Sequence, residues 1–190
     1  MVGLGNPGAE FERTRHNLGA DTVQLLAERR GLKLRSEKGT RSLTAATRVD
    51  GKQVVLAVPQ TYMNESGQAV AALLRRYRVA DVGDMVVVHD ELDLPSGRVK
   101  VKVGGGTAGN NGVKSVHAHV HDPGYVRVRI GIGKPPGRST GTDYVLHRPV
   151  RAERDTLDVA IHVAADAVEV IAAEGVAAAM QRFNTDSDDD

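Results

Sequence analysis

The residues best suited to chemistry are a histidine, an aspartate and three asparagines, each beside a turn. His16 follows a glycine-rich start, Gly3-Leu4-Gly5-Asn6-Pro7-Gly8, and Asp90 follows His89 at the end of the apolar run Met85-Val86-Val87-Val88. A carboxylate beside an imidazole holds it in one tautomer and makes the other ring nitrogen a better base. The chain has no Cys and no Ser nucleophile set on a strand-to-helix elbow. Water is therefore the expected nucleophile, with His16 as its general base. Asn6, Asn64 and Asn111 occupy three separate turns. Asparagine commonly serves a turn's own local hydrogen bonds, so each alone reads as structural. Three converging amides would suit a substrate rich in peptide or ester groups, because N–H donors stabilise a developing oxyanion without adding charge.

The other candidates are weaker. His162 falls within the last long helical pattern and reads as structural. His117, His119 and His121 are spaced by two, which does not match the i, i+4 spacing of helical metal ligands, so no metal site is expected. Gly3 to Gly8 and Gly104 to Gly109 both match G-x-G-x-x-G. A dinucleotide site also needs the turn to open directly into a helix and an acid about 20 residues on. Here Pro7-Gly8 intervenes and Asp21 falls inside the helix. Both runs read more simply as tight turns needing positive φ. Lys100-Lys102 and Arg127-Arg129 give two alternating stretches a basic face, expected on neighbouring strands or nearby. Those faces suit phosphate or plain solvent equally well.

Composition bounds the rest. A length of 190 residues suits one domain. With aromatics at 3% and no Trp, the core must come from Val, Leu, Ile and Ala. Net charge is +1, but the last five residues hold four of the 24 acids. The remaining body is mildly basic, which permits a nucleic-acid partner and also fits a solubilising charge balance. Absence of Cys excludes disulfides and thiolate metal sites and fits the cytosol. No apolar run approaches the roughly 18 residues of a membrane span, and no signal-peptide core opens the chain. A soluble cytoplasmic protein is expected.

Strand and helix patterns alternate along the chain. Met1 to Leu4 is a short start for a strand, which usually has about five or six residues; the strand is clipped here or the start assigned late. Asn17 to Arg30 is helical. Leu43–Val49 and Gln53–Val58 form strands around Asp50-Gly51, a hairpin signal. A helix follows Asn64-Glu65-Ser66-Gly67, and a buried strand ends at His89-Asp90. Val99–Val103 and Tyr125–Ile132 alternate with period two. Gly104 to Gly112 has five glycines in nine positions and is loop, with a short helix over Val113–Val120. Gly131 to Gly141 is loop, and the stretch Gly137 to Arg148 has the place and composition of a lid. Helices over Arg151–Ala173 and Val176–Phe183 flank Gly175. The pattern predicts an α/β fold: a single domain over 1–185, with a twisted, mixed, mostly parallel sheet and helices on both faces. Residues 186–190 are an acidic, disordered tail. Ligands of such sheets gather beyond the carboxyl ends of the strands, where Asn6, His89-Asp90 and Tyr62-Met63-Asn64 are expected.

Taken together, the chain resembles bacterial peptidyl-tRNA hydrolases. The matching runs are Gly3-Leu4-Gly5-Asn6-Pro7-Gly8, Thr14-Arg15-His16-Asn17, Pro59-Gln60-Thr61-Tyr62-Met63-Asn64-Glu65-Ser66-Gly67, His89-Asp90-Glu91-Leu92-Asp93-Leu94-Pro95, Gly104-Gly105-Gly106, Asn111-Gly112 and Arg129-Ile130-Gly131-Ile132-Gly133. The resemblance implies hydrolysis of the ester joining a peptide to tRNA, without metal or organic cofactor, by a monomer acting on peptidyl-tRNA in the cytoplasm. It implies His16 as base and Asp90 as its partner. Asn6, Phe11, Tyr62, Met63, Asn64 and Asn111 would meet the substrate, and Lys102 and Arg129 a tRNA phosphate. The chain departs from the family pattern at Phe11 (usually Tyr), Val58 (usually Lys), Thr107-Ala108 (usually His-Gly) and Asn110 (usually His). The altered loop motivates an alternative, a non-catalytic RNA-binding module on the same fold. A nucleotide-dependent oxidoreductase is a third class and makes no use of the His16–Asp90 pair.

Overall fold

Seven strands form one mixed sheet: β1 (Val2–Gly3), β2 (Arg35–Glu37), β3 (Ser42–Val49), β4 (Lys52–Pro59), β5 (Val86–Glu91), β6 (Val99–Val103) and β7 (Val126–Gly131). Their order is β2-β3-β4-β1-β5-β7-β6. β1 lies parallel between β4 and β5, and β5 pairs parallel with β7. The β2–β3, β3–β4 and β6–β7 pairs are antiparallel. Only β3 and β6 therefore run against the others. The helices are α1 (Leu18–Arg29), α2 (Ser66–Tyr77), α3 (Asn111–Val120), α4 (Gly141–Leu146), α5 (Arg151–Glu174) and α6 (Val176–Phe183). This computed structural model describes residues 1–135, 137 and 140–185. The expected acidic tail, 186–190, lies outside the described residues, as do three positions of the Gly131–Gly141 loop. No helix among the described residues is long and apolar enough to cross a membrane.

The sheet is covered on both faces, which is why its central strands carry continuous apolar runs. Val86 and Val88 of β5 face a core shared with Leu18, Val23 and Leu26 of α1 and Leu157, Ile161 and Val168 of α5. Val87, between them, faces the opposite core with Val70 and Leu73 of α2 and Val113 and Val116 of α3. Each residue step along the strand thus switches layers. The Asp50-Gly51 turn takes φ of 48° and 78°, as the expected two-residue hairpin requires.

Three expectations need correction. β2 was not foreseen: it is three residues of Arg-Ser-Glu on an outer edge, too short and polar to show a period. Secondly, the His89-Asp90 pair was expected just beyond its strand, but β5 continues through both to Glu91 because β7 pairs with it over that whole length. The third concerns Arg127, read with Arg129 as part of an open basic face. β6 and β7 are neighbours as expected, with Lys100 opposite Arg129 and Lys102 opposite Arg127. Arg127, however, is 1% exposed, because the Gly-rich loop closes over it and the Gly106 carbonyl accepts from its Nη1 at 2.5 Å.

Candidate active site

His16 sits in a single 3₁₀ turn, Arg15–Asn17, whose three polar side chains are all buried. Three residues per turn send consecutive side chains in three directions, and each finds a different partner. The Arg15 guanidinium donates to Glu153 of α5 at 2.7 and 2.5 Å and to the Tyr144 and His147 carbonyls at 3.1 and 3.0 Å. Asn17 clamps the backbone of Asn6: its Oδ1 accepts from Asn6 N and its Nδ2 donates to Asn6 O, both at 2.9 Å. His16 Nδ1 lies 2.9 Å from Asp90 Oδ1.

Glycines make this approach possible. A Cβ on Gly3 would fall 2.2 Å from the Gly19 carbonyl oxygen, and one on Gly19 would fall 2.2 Å from the Val88 carbonyl oxygen. The start of α1 therefore lies directly on the backbone of β1 and β5, and His16 reaches Asp90 across one layer. Gly3 and Gly5 have no positive φ; only Gly8 of this run does. The expectation of a turn needing left-handed backbone is thus corrected: close approach, not torsion, demands the first two glycines.

Asn6, Phe11, His16, Tyr62, Met63, Asn64, Asp90 and Asn111 all line one cleft of about 570 Å³, as do Gly141, Thr142, Val145 and Leu146 at α4. The stretch expected as a lid thus carries a helix that walls the cleft. Asn6 Oδ1 accepts from Met63 N at 2.7 Å. A backbone N–H can only donate, so the amide end of Asn6 left for the cleft is its NH₂. Phe11 and Tyr62 meet edge to face, centroids 6.3 Å apart, and Tyr62 is exposed. Lys102 and Arg129 do not line the cleft. They lie diagonally across β6 and β7, where Arg129 Nη1 is 3.8 Å from Glu91 Oε2.

Electrostatics set the two histidines apart. Burial disfavours the His16 imidazolium, but the charge and hydrogen bond of Asp90 outweigh it and raise the pKa above 6.5. Burial likewise opposes the Asp90 anion, and the charge and hydrogen bond of His16 lower its pKa regardless. With the imidazole neutral, the Asp90 carboxylate accepts from Nδ1–H, which puts the free lone pair on Nε2. His89 is fully buried; its Nδ1 donates to the Asp90 carbonyl at 2.7 Å and its Nε2 accepts from Arg127 Nε at 3.2 Å. Burial, then the Arg127 charge, lower its pKa from 6.5 to about 4.

These shifts act oppositely on stability. Below pH 6.5 the unfolded chain protonates His89, whereas the folded chain refuses the proton until about pH 4. Its contribution is complete above 6.5 and falls away toward pH 4, by at most about 3 kcal/mol. The His16 contribution is complete below 6.5 and is lost as pH rises through its higher folded value. The His89 ring is expected to stay neutral by NMR at about pH 5.5 while the urea midpoint falls as acid is added. A charged ring at that pH would contradict the arrangement.

The whole chain, residues 1–190, matches the sequence profile of peptidyl-tRNA hydrolases. It is 46% identical over 184 residues to the peptidyl-tRNA hydrolase of Nocardia farcinica, covering 97% of this chain and 95% of that one. It is 44% identical to that of Chloroflexus aggregans, covering 97% of both. The chain belongs to the peptidyl-tRNA hydrolase family. Its fold agrees: a crystal structure of peptidyl-tRNA hydrolase from Acinetobacter baumannii superposes with a TM-score of 0.90 at 36% identity, covering 97% of this chain and 93% of that one.

Departures from the peptidyl-tRNA hydrolase pattern now have places. Val58 lies in the α1–α5 core and is absent from the cleft. Ala108 holds φ of 49°, a left-handed value that glycine adopts at less cost. Asn110 is the residue sequence reasoning missed: noted as a departure, it touches Asp90 directly, donating from Nδ2 to Oδ1 at 3.1 Å and to O at 3.2 Å. Asn17 likewise has a role that its type and spacing do not show, the clamp on Asn6. The signal for both was an Asn adjoining a singled-out residue, and neither spacing nor type tells which way such an amide points.

Proposed function

We propose that this protein hydrolyses the ester between peptide and tRNA, with His16 as general base, Asp90 as its orienting partner and water as nucleophile. The observation that carries the reading is the buried 2.9 Å His16–Asp90 pair on the floor of a cleft lined by Asn6, Asn64 and Asn111. Nε2 accepts a proton as the water oxygen attacks the ester carbonyl. The NH₂ group of Asn6, held by Met63 and Asn17, is pre-set to donate to the developing oxyanion. Asn64 and Asn111, both exposed on the rim, hold the substrate amides, and Met63, Phe11 and Tyr62 supply apolar contact. Collapse of the tetrahedral intermediate expels the ribose oxygen, which takes the proton back from His16. The products are a peptide carboxylate and tRNA with its hydroxyl intact.

The non-catalytic alternative is not favoured, since base, orienter and all three amides share one cleft. Release of peptide from purified peptidyl-tRNA is the test; binding without release would sink the proposal. We read the protein as a cytoplasmic monomer with 1–185 as its hydrolase domain; every proposed group comes from one chain, and sedimentation at micromolar concentration checks the state.

Lys102 and Arg129 are assigned to a tRNA phosphate. Glu91 offsets part of the Arg129 charge, so Lys102 is the stronger contact. Lys102→Ala is expected to raise KM severalfold with kcat nearly unchanged, and to reduce the slope of log affinity against log salt by about one. An unchanged salt slope would make this a plain solvated face.

A further inference from the structure

Asn110 occupies a position no role has been given, and its bonds run two ways. Its Oδ1 accepts from Gly112 N at 3.0 Å and Val113 N at 3.1 Å, capping α3. Backbone N–H groups are donors only, so they fix which end of the amide is oxygen. The other end must be NH₂, and it meets Asp90 Oδ1 and O. Oδ1 is the same oxygen that holds His16 Nδ1. Asp90 therefore has two donors on one carboxylate oxygen, one from the α1 side of the sheet and one from the start of α3.

We infer that Asn110 is a positioning residue, holding the Asp90 carboxylate in line with His16 by a donor that does not titrate. The carboxylate is 3% exposed, and its Oδ1 takes side-chain donors from His16 and Asn110. With His16 as the one side chain left to hold it, the group gains freedom about its χ angles, and His16 then loses orientation and part of the charge that supports its imidazolium. Because Asn110 acts on Asp90, which acts on His16, its loss must appear in turnover. If it acted only through α3, it would disturb the adjoining Asn111 and appear in KM. The inference rests on His16–Asp90 being the catalytic pair, and the experiment separates the two claims.

Asn110→Ser keeps an oxygen that caps a helix but cannot reach Asp90 with a donor. Asn110→Ala loses both. Both are assayed for peptide release from peptidyl-tRNA, beside wild type and His16→Ala, with melting temperature recorded. Both Asn110 variants are expected to lose about tenfold in kcat, the worth of a hydrogen bond to a charged group, with KM within about twofold. Only Asn110→Ala is expected to melt earlier, by a few degrees. A wild-type kcat for Asn110→Ser would overturn the inference and leave Asn110 a cap, even if His16→Ala is inactive. A fully active His16→Ala would overturn the catalytic pair itself, and the inference with it.

Discussion

His16→Ala is expected to lower the rate of peptide release by about two to four orders of magnitude, the usual share of a general base, with KM little changed. In the proposed mechanism the imidazole contributes Nε2 as proton acceptor, and no other described histidine lines the cleft. The variant should still fold: Asp90 keeps the Asn110 donor, and Arg15 and Asn17, which tie the turn to α5 and Asn6, are untouched. Circular dichroism and single-turnover release are the two measurements. A rate within threefold or so of wild type would remove His16 from the mechanism. The wild-type rate should also fall as acid is added, because a protonated imidazole cannot accept. Asp90 raises the His16 pKa above its ordinary 6.5, so the acid limb should lie above that value.

Asp90→Asn is the second large effect, a fall of about 10² to 10⁴ in kcat. The substituted amide is nearly isosteric but uncharged. With its oxygen toward His16 and Asn110 it preserves the geometry and loses the charge that supports an imidazolium. With its NH₂ toward His16 it forces the proton onto Nε2, and the basic lone pair then faces away from the cleft. The first orientation moves the acid limb of the rate to lower pH, since the charge of Asp90 is among the causes that raise the His16 pKa. An Asp90→Asn protein with the wild-type limb and rate would show that the carboxylate serves structure alone. Stability needs separate measurement, because Asp90 is buried and its backbone carbonyl also receives His89.

Periodicity was sufficient for most of the fold. Val86-Val87-Val88 announced a strand covered on both sides, Asp50-Gly51 a hairpin, and Gly175 a break between two helices, because each depends on local torsion or a burial pattern within a few residues. β2 escaped since an edge strand of three polar residues has neither. Arg127 misled for a related reason: alternation says which face a residue is on, and β6 and β7 do place it on the face of Lys102. It does not say that a loop folds over that face and buries one arginine while leaving its neighbour accessible.

The candidate site divides the same way. Residue types beside turns and strand ends were enough to nominate His16, Asp90, Asn6, Asn64 and Asn111 as candidates, because an imidazole beside a carboxylate is chemically distinctive and three amides together suit one substrate. By itself the sequence determined that an imidazole, a carboxylate and three amides stand near turns and strand ends that the sheet would bring to one end. Only the tertiary structure decided which atoms meet. Asn17 and Asn110 are ordinary asparagines until Asn6 and Asp90 lie against them across separations of 11 and 20 residues. The first of these contacts exists because Gly3 and Gly19 let α1 rest on bare backbone, with room for no side chain between.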